Sequence, residues 1–118
     1  MSVQEDNLNI RLEALFHNEI VKELRQTADN VIARNQVQAK NHALKNQIER
    51  LKVTQDTLKQ LTEDLVVVGN KCIDNFEKEI ENVNEPEKSN AVDKLKDLVT
   101  EEIRELVKTE TLNKFHDS

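Results

Sequence analysis

The side chains able to do chemistry are few and scattered. The three histidines, His17, His42 and His116, stand far apart. None has a His or Cys four residues away, the helical spacing that puts two ligands on one metal. They read as surface or partly buried imidazoles. The one cysteine, Cys72, reads as a small apolar residue rather than a nucleophile, because Lys71, the nearest base in sequence, would point away from it on a helix. Carboxylates gather at Glu77, Glu79 and Glu81 and again at Glu101, Glu102 and Glu105. Without a histidine at ligand spacing they read as wet helix faces, not a di-metal site. A phosphate loop needs several glycines, and Gly69 is the only one in the chain. No catalytic, metal or cofactor site is expected, and the chain reads as a non-enzyme.

The elements that would carry these residues are helices. In 118 residues there is one glycine, one proline, no tryptophan, no tyrosine and three phenylalanines. Glycine and proline mark turns, so such a chain has few places to turn. Charged residues make up 34% and hydrophobic ones 36%, which suits an apolar stripe with a wide wet face rather than a thick globular core. The fold class is therefore all-α and elongated.

Ser2 and Glu5 have the spacing of a capping box. After them runs a stripe of Leu8, Leu12, Leu15, Phe16, Ile20, Leu24, Ala28, Val31 and Ile32, stepping by three and four residues as a helix requires. Residues 33–43 offer only small or isolated apolar groups, so a bend is possible there, although nothing forces one. Leu44, Leu51, Leu58, Leu65 and Cys72 then recur every seven residues. Between them stand Asn41, Ile48, Gln55, Thr62, Gly69 and Phe76, which makes an imperfect coiled-coil seam. Leu61 and Val68 widen it, as a bundle of three or more helices would want. Gly69 fits either a helix end or a continuous helix closely approached by another. Continuity is expected, because Cys72, Phe76, Ile80 and Val83 carry the stripe onward. The firm break is Asn84-Glu85-Pro86, where Asn84 and Glu87 form a second capping-box spacing with Pro86 in the first turn. The last stripe is Val92, Leu95, Leu98, Val99, Ile103, Leu106 and Val107.

The expectation is one long helix over about 3–83, bent near 33–43 or Gly69 if anywhere, then a shorter helix over about 86–113. Two segments follow, a long helical one over 1–84 and an amphipathic helix with a short tail over 85–118. Eighty helical residues would reach roughly 120 Å, and such a rod cannot bury its stripe alone. The chain must fold back or pair with other helices, of its own kind or of another. The partner-facing residues on this reading are Leu44, Ile48, Leu51, Gln55, Leu58, Leu65, Cys72, Phe76, Leu95, Val99, Ile103 and Leu106.

Charge excludes several partners. Net charge is −6, against the basic field of a dedicated nucleic-acid binder. Residues 1–32 carry 3 basic and 6 acidic side chains, residues 33–60 carry 6 and 2, and residues 61–118 carry 8 and 15. The basic middle is expected to pair with an acidic helix, its own or a partner's. A DNA-binding leucine zipper would need a dense basic helix before the seam, and residues 20–43 hold only Lys22, Arg25, Arg34 and Lys40 against Glu23 and Asp29. The longest apolar run, Leu65 to Val68, is far too short to span a membrane. Residues 1–6 contain no apolar leader region and a lone cysteine forms no internal disulfide, so a cytoplasmic or nuclear setting is expected.

Gln55 between Leu51 and Leu58 resembles the central glutamine layer of Q-type SNARE bundles, over residues 41–76 only. Thr62 and Gly69 depart from that pattern and no membrane anchor follows. In size and pattern the chain is similar to small acidic helical subunits of kinetochore and BLOC-like trafficking complexes, without a diagnostic motif. The reading is a non-catalytic structural or adaptor subunit of a hetero-oligomeric helical complex, with no small-molecule substrate. The alternative is a regulatory bundle that folds back on itself and captures a target helix in a groove.

Overall fold

A computed structural model describes residues 3–41 and 47–116, with side chains over 7–36 and 49–113. The described residues are helical, without a strand, in the order α1 (Val3–Leu15), a π-helical turn (Phe16–Ile20), α2 (Val21–Asn41), α3 (Gln47–Glu79) and α4 (Glu87–His116). The first capping box and His42 lie outside the described residues, as does Leu44.

The first three pieces form one rod, and its stripe explains the π turn. Leu8, Leu12, Phe16, Ile20, Leu24 and Ala28 are all buried, each four residues from the last. On a regular α-helix every four-residue step rotates the side chain by about 40°, so this run would wander to the far side. The wider turn at Phe16–Ile20, where the Val21 amide donates to the Phe16 carbonyl, takes up the surplus and brings Leu24, Ala28 and Val31 back to the same face.

The expected helix over 3–83 is not continuous. Helix α2 ends at Asn41, α3 starts at Gln47, and the chain runs back between them. Arg34 meets Asp64 at 3.2 Å and Cys72 meets Glu23 at 3.5 Å, so α3 lies antiparallel to α2. Most of the stretch where the apolar stripe fades, residues 33–41, stays helical within α2. Gly69 sits inside α3, as the onward stripe implied.

Helix α3 ends in a tightened turn, with the Glu81 amide donating to the Lys78 carbonyl and the Val83 amide to Ile80. Beyond Pro86, α4 turns back along α3. Its start is capped by Glu85, whose carboxylate accepts from the Ser89 amide at 3.3 Å and from the Ser89 hydroxyl. The cap is thus set one residue later than the expected Asn84–Glu87 box. Lys94 reaches Glu13 at 3.1 Å and Arg25 reaches Glu102 at 3.7 Å, so α4 runs parallel to the first rod. The result is an up-down-up three-helix bundle measuring 61 × 22 × 20 Å, and α4 belongs to the same core as the long segment.

Apolar burial holds it together. Leu12, Leu24, Val31, Leu61, Leu65 and Leu95 are fully buried, along with Phe76 and Ile80. Each contributes about 1.5–3 kcal/mol, whereas exposed ion pairs such as Arg34–Asp64 contribute about 0–1 kcal/mol. The basic middle finds an internal acid, Asp64 on α3, within the acidic stretch 61–118.

Candidate partner-binding surface

The seam residues meet three different fates. Leu65, Phe76, Leu95 and Val99 are covered by the chain's own helices, so in this fold their contacts are internal. Leu58, Cys72, Ile103 and Leu106 are half-buried, and Leu51 and Gln55 are exposed. The side chain of Ile48 lies outside the described residues.

The difference follows from where α3 sits. Between two neighbours it must cover a wide arc, and its buried path is Thr57, Leu61, Leu65, Gly69, Ile73, Phe76 and Ile80. At about 100° per residue this path sweeps about 160° of the helix. The leucine ladder runs inside that arc, and its last member, Cys72, meets Glu23 of α2. Leu51 and Leu58 lie within about 20° of Gly69 around the helix, and Gly69 faces Val99 and Ile103. Along that antiparallel register the level of Leu51 falls at or past the end of α4.

Among the described side chains, cover on the α4 side of α3 is thinnest towards Leu51. Near the α3–α4 turn, Phe76, Ile80, Ala91, Val92 and Leu95 close the core. Further along, Ile103 beside Gly69 and Leu106 on α4 are only partly covered, as is Leu58 on α3, and Leu51 near the start of α3 is 50% exposed. These four were expected to face a partner; Ile103 and Leu106 pack against the core, while Leu51 and Leu58 lie on the same side of α3 as Gly69. Leu112 is exposed too, but it points away from α3, on the outer face of α4.

Among the described residues the groups able to do chemistry are not brought together. His17 is exposed, its ring edge-on to Phe16 at 5.2 Å between centroids. Glu77, Glu79 and Glu81 are exposed, Glu101 is bound to Arg104 at 2.7 Å, and Glu102 pairs with Arg25. Among the described residues no three His, Cys, Asp or Glu side chains converge on a point that could hold a metal ion. Cys72 donates to the Glu23 carboxylate, and its thiol is pushed up to about 11 by burial first and then by the charge and hydrogen bond of Glu23. A thiol held protonated in this way is a poor nucleophile. A cleft of 580 Å³ at the closed end is lined by Asn7, Leu8 and Arg11 of α1 and by residues 82–85 and 87, mixing one cation with two carboxylates and no His or Cys. No helix among the described residues is long and apolar enough to cross a membrane. In comparisons with known proteins, no family, no curated protein and no solved structure matches the chain.

Proposed function

We propose that this chain is a non-catalytic helical adaptor, a bundle folded on its own core that takes the apolar face of a partner helix along α3 and α4 towards Leu51. The observation that carries this reading is the incomplete cover of Leu51, Leu58, Ile103 and Leu106, of which Ile103 and Leu106 pack against the core. A target helix would lay apolar residues at helical spacing along it and lengthen the core. The core formed by the chain's own three helices favours this regulatory or adaptor module over a subunit that folds only inside a complex. The raised thiol of Cys72 and the scattered histidines support a role without catalysis. An intracellular, reducing setting goes with this reading.

Light scattering on a size-exclusion column, with circular dichroism of the same fractions, tests the folding half. A strongly helical monomer, alone or in exchange with its dimer, is expected, and a poorly helical or aggregated chain would return it to the obligate-subunit reading. Co-purification from cells that make the protein tests the binding half. Leu51→Asp should lose the helical partner while keeping wild-type helicity, and Lys22→Gln should lose nothing. Unchanged co-purification with Leu51→Asp would overturn the site.

A further inference from the structure

The outer face of α3 carries a second feature, unrelated to the partner-binding end. Val66 is 43% exposed and Val67 is 67% exposed, adjacent in sequence and halfway along the helix. Around them the exposed face reads Lys59, Glu63, Asn70 and Asp74, with Lys52 and Asp56 before and Glu77 after. These positions recur at three and four residues, the spacing of a helix-pairing seam. The ion pairs of the described chain involve none of Lys52, Lys59, Glu63, Lys71, Asp74 and Glu81. The face is therefore a ready-made stripe of charges that take no part in the ion pairs of the described residues, centred on two bare valines.

We propose that two copies of this chain pair through this face, α3 against α3 and antiparallel, about a twofold axis passing between Val66 and Val67. Residues equally distant from that axis face each other. Val66 of one copy then meets Val67 of the other. Lys59 meets Asp74, and Lys52 meets Glu81 just beyond the end of α3. Glu63 meets Asn70 with Lys71 beside it. By symmetry each pairing is made twice. The one opposed pair of like charge is Asp56 with Glu77, where Lys78 stands next to Glu77 to receive Asp56. A parallel pairing is disfavoured by the same residues, because a parallel twofold sets Lys59 against Lys59 and Asp74 against Asp74. The bundle's 61 Å length and narrow cross-section let two rods lie side by side along about 45 Å of helix. With four valines at the centre and exposed charges along the flanks, the pairing is weak, reversible and salt-sensitive.

The test is sedimentation velocity of the full chain over a range of concentrations and salt. The wild type should show a monomer–dimer equilibrium that weakens as salt rises. Val66→Asp should abolish it with helicity unchanged, and Leu51→Asp should leave it intact, which separates this face from the partner-binding end. Lys59→Asp and Asp74→Lys should each weaken self-association by about tenfold or more. Mixed in equal amounts, these two variants should pair with each other more tightly than either pairs with itself, because each then supplies the charge the other lacks. A wild-type chain that stays monomeric, a dimer that survives Val66→Asp, or a mixture no tighter than its components would each overturn the proposal.

Discussion

Gly69 of α3 lies so near Val99 of α4 that a methyl group placed on it would come within 2.8 Å of Val99 Cγ1 and 3.2 Å of Ile103 Cδ1. The glycine is there to let two helices touch, and it does so at the cost of about 1 kcal/mol of helix propensity. The Ile103 methyl can swing away, but Val99 is β-branched and stiff about χ1. Gly69→Ala should therefore destabilise the bundle by about 1 kcal/mol, the overpacking outweighing the propensity gain. In a Val99→Ala background the same change should reverse sign and stabilise by about 1 kcal/mol. Urea denaturation of the four-member cycle measures both values. Stabilisation in both backgrounds would mean that the helices do not approach this closely.

Thr57 is the one polar side chain fully buried among the described residues, at 1% exposure, and its hydroxyl donates to the Val53 carbonyl at 2.8 Å. That carbonyl already serves the helix, so the extra bond satisfies the hydroxyl without adding a necessary partner. Thr57→Val keeps the shape and removes the polar atom. It should leave thermal stability unchanged or raise it by about 1 kcal/mol, whereas Thr57→Ser, which removes the methyl, should cost about 1 kcal/mol. A loss above about 1 kcal/mol for valine would reveal a second partner for the hydroxyl.

Much of this fold is legible in the sequence because helical periodicity is strong. The stripe from Leu8 to Val31, the continuity of α3 through Gly69 and the break at Pro86 all follow from spacing and turn chemistry. The reversal between Asn41 and Gln47 does not, since neither glycine nor proline marks it. The nearest signal is the fading of the apolar stripe over residues 33–43, most of which stays helical, and a fading stripe is equally compatible with a bend. The π turn has a signal after all, in the unbroken spacing of four from Leu8 to Ala28, which no straight α-helix keeps on one face. The candidate surface was half legible. A heptad count finds the leucines of α3 but assigns them a single partner, and α3 has two neighbours in its own chain. Leu65 and Phe76 are internal because both neighbours flank them, while Leu51, on the same side of α3 as Gly69, falls level with the end of α4.

The thiol of Cys72 offers a pH-dependent readout of the α2–α3 contact. Burial and Glu23 raise it from 9.0 to about 11. Alkylation at neutral pH should be slow in the folded chain, and Glu23→Gln should speed it by removing the facing charge, without restoring the rate of an unfolded chain. Between pH 9.0 and about 11 the unfolded chain has given up the proton and the folded chain has kept it, so rising pH favours unfolding across that window. Below it this group leaves stability flat. Cys72→Ala should remove the loss in that window, and an alkylation rate at neutral pH equal to that of a free thiol would show that Glu23 does not reach it.

Leu51 and Leu65 stand on the same leucine ladder, two heptads apart, and should behave in opposite ways. Leu65 is fully enclosed by the bundle, so Leu65→Ala removes buried methyl groups and leaves a cavity, costing about 2–5 kcal/mol. Leu51 is half in water, so Leu51→Ala should cost less than about 1 kcal/mol. Chemical denaturation of the two variants beside the wild type gives both numbers. If Leu51→Ala costs as much as Leu65→Ala, Leu51 is covered within the folded chain, and this surface is not free to receive a partner helix. If the costs separate as expected, the leucine ladder divides at Leu58 into a part that builds the bundle and a part left exposed on it.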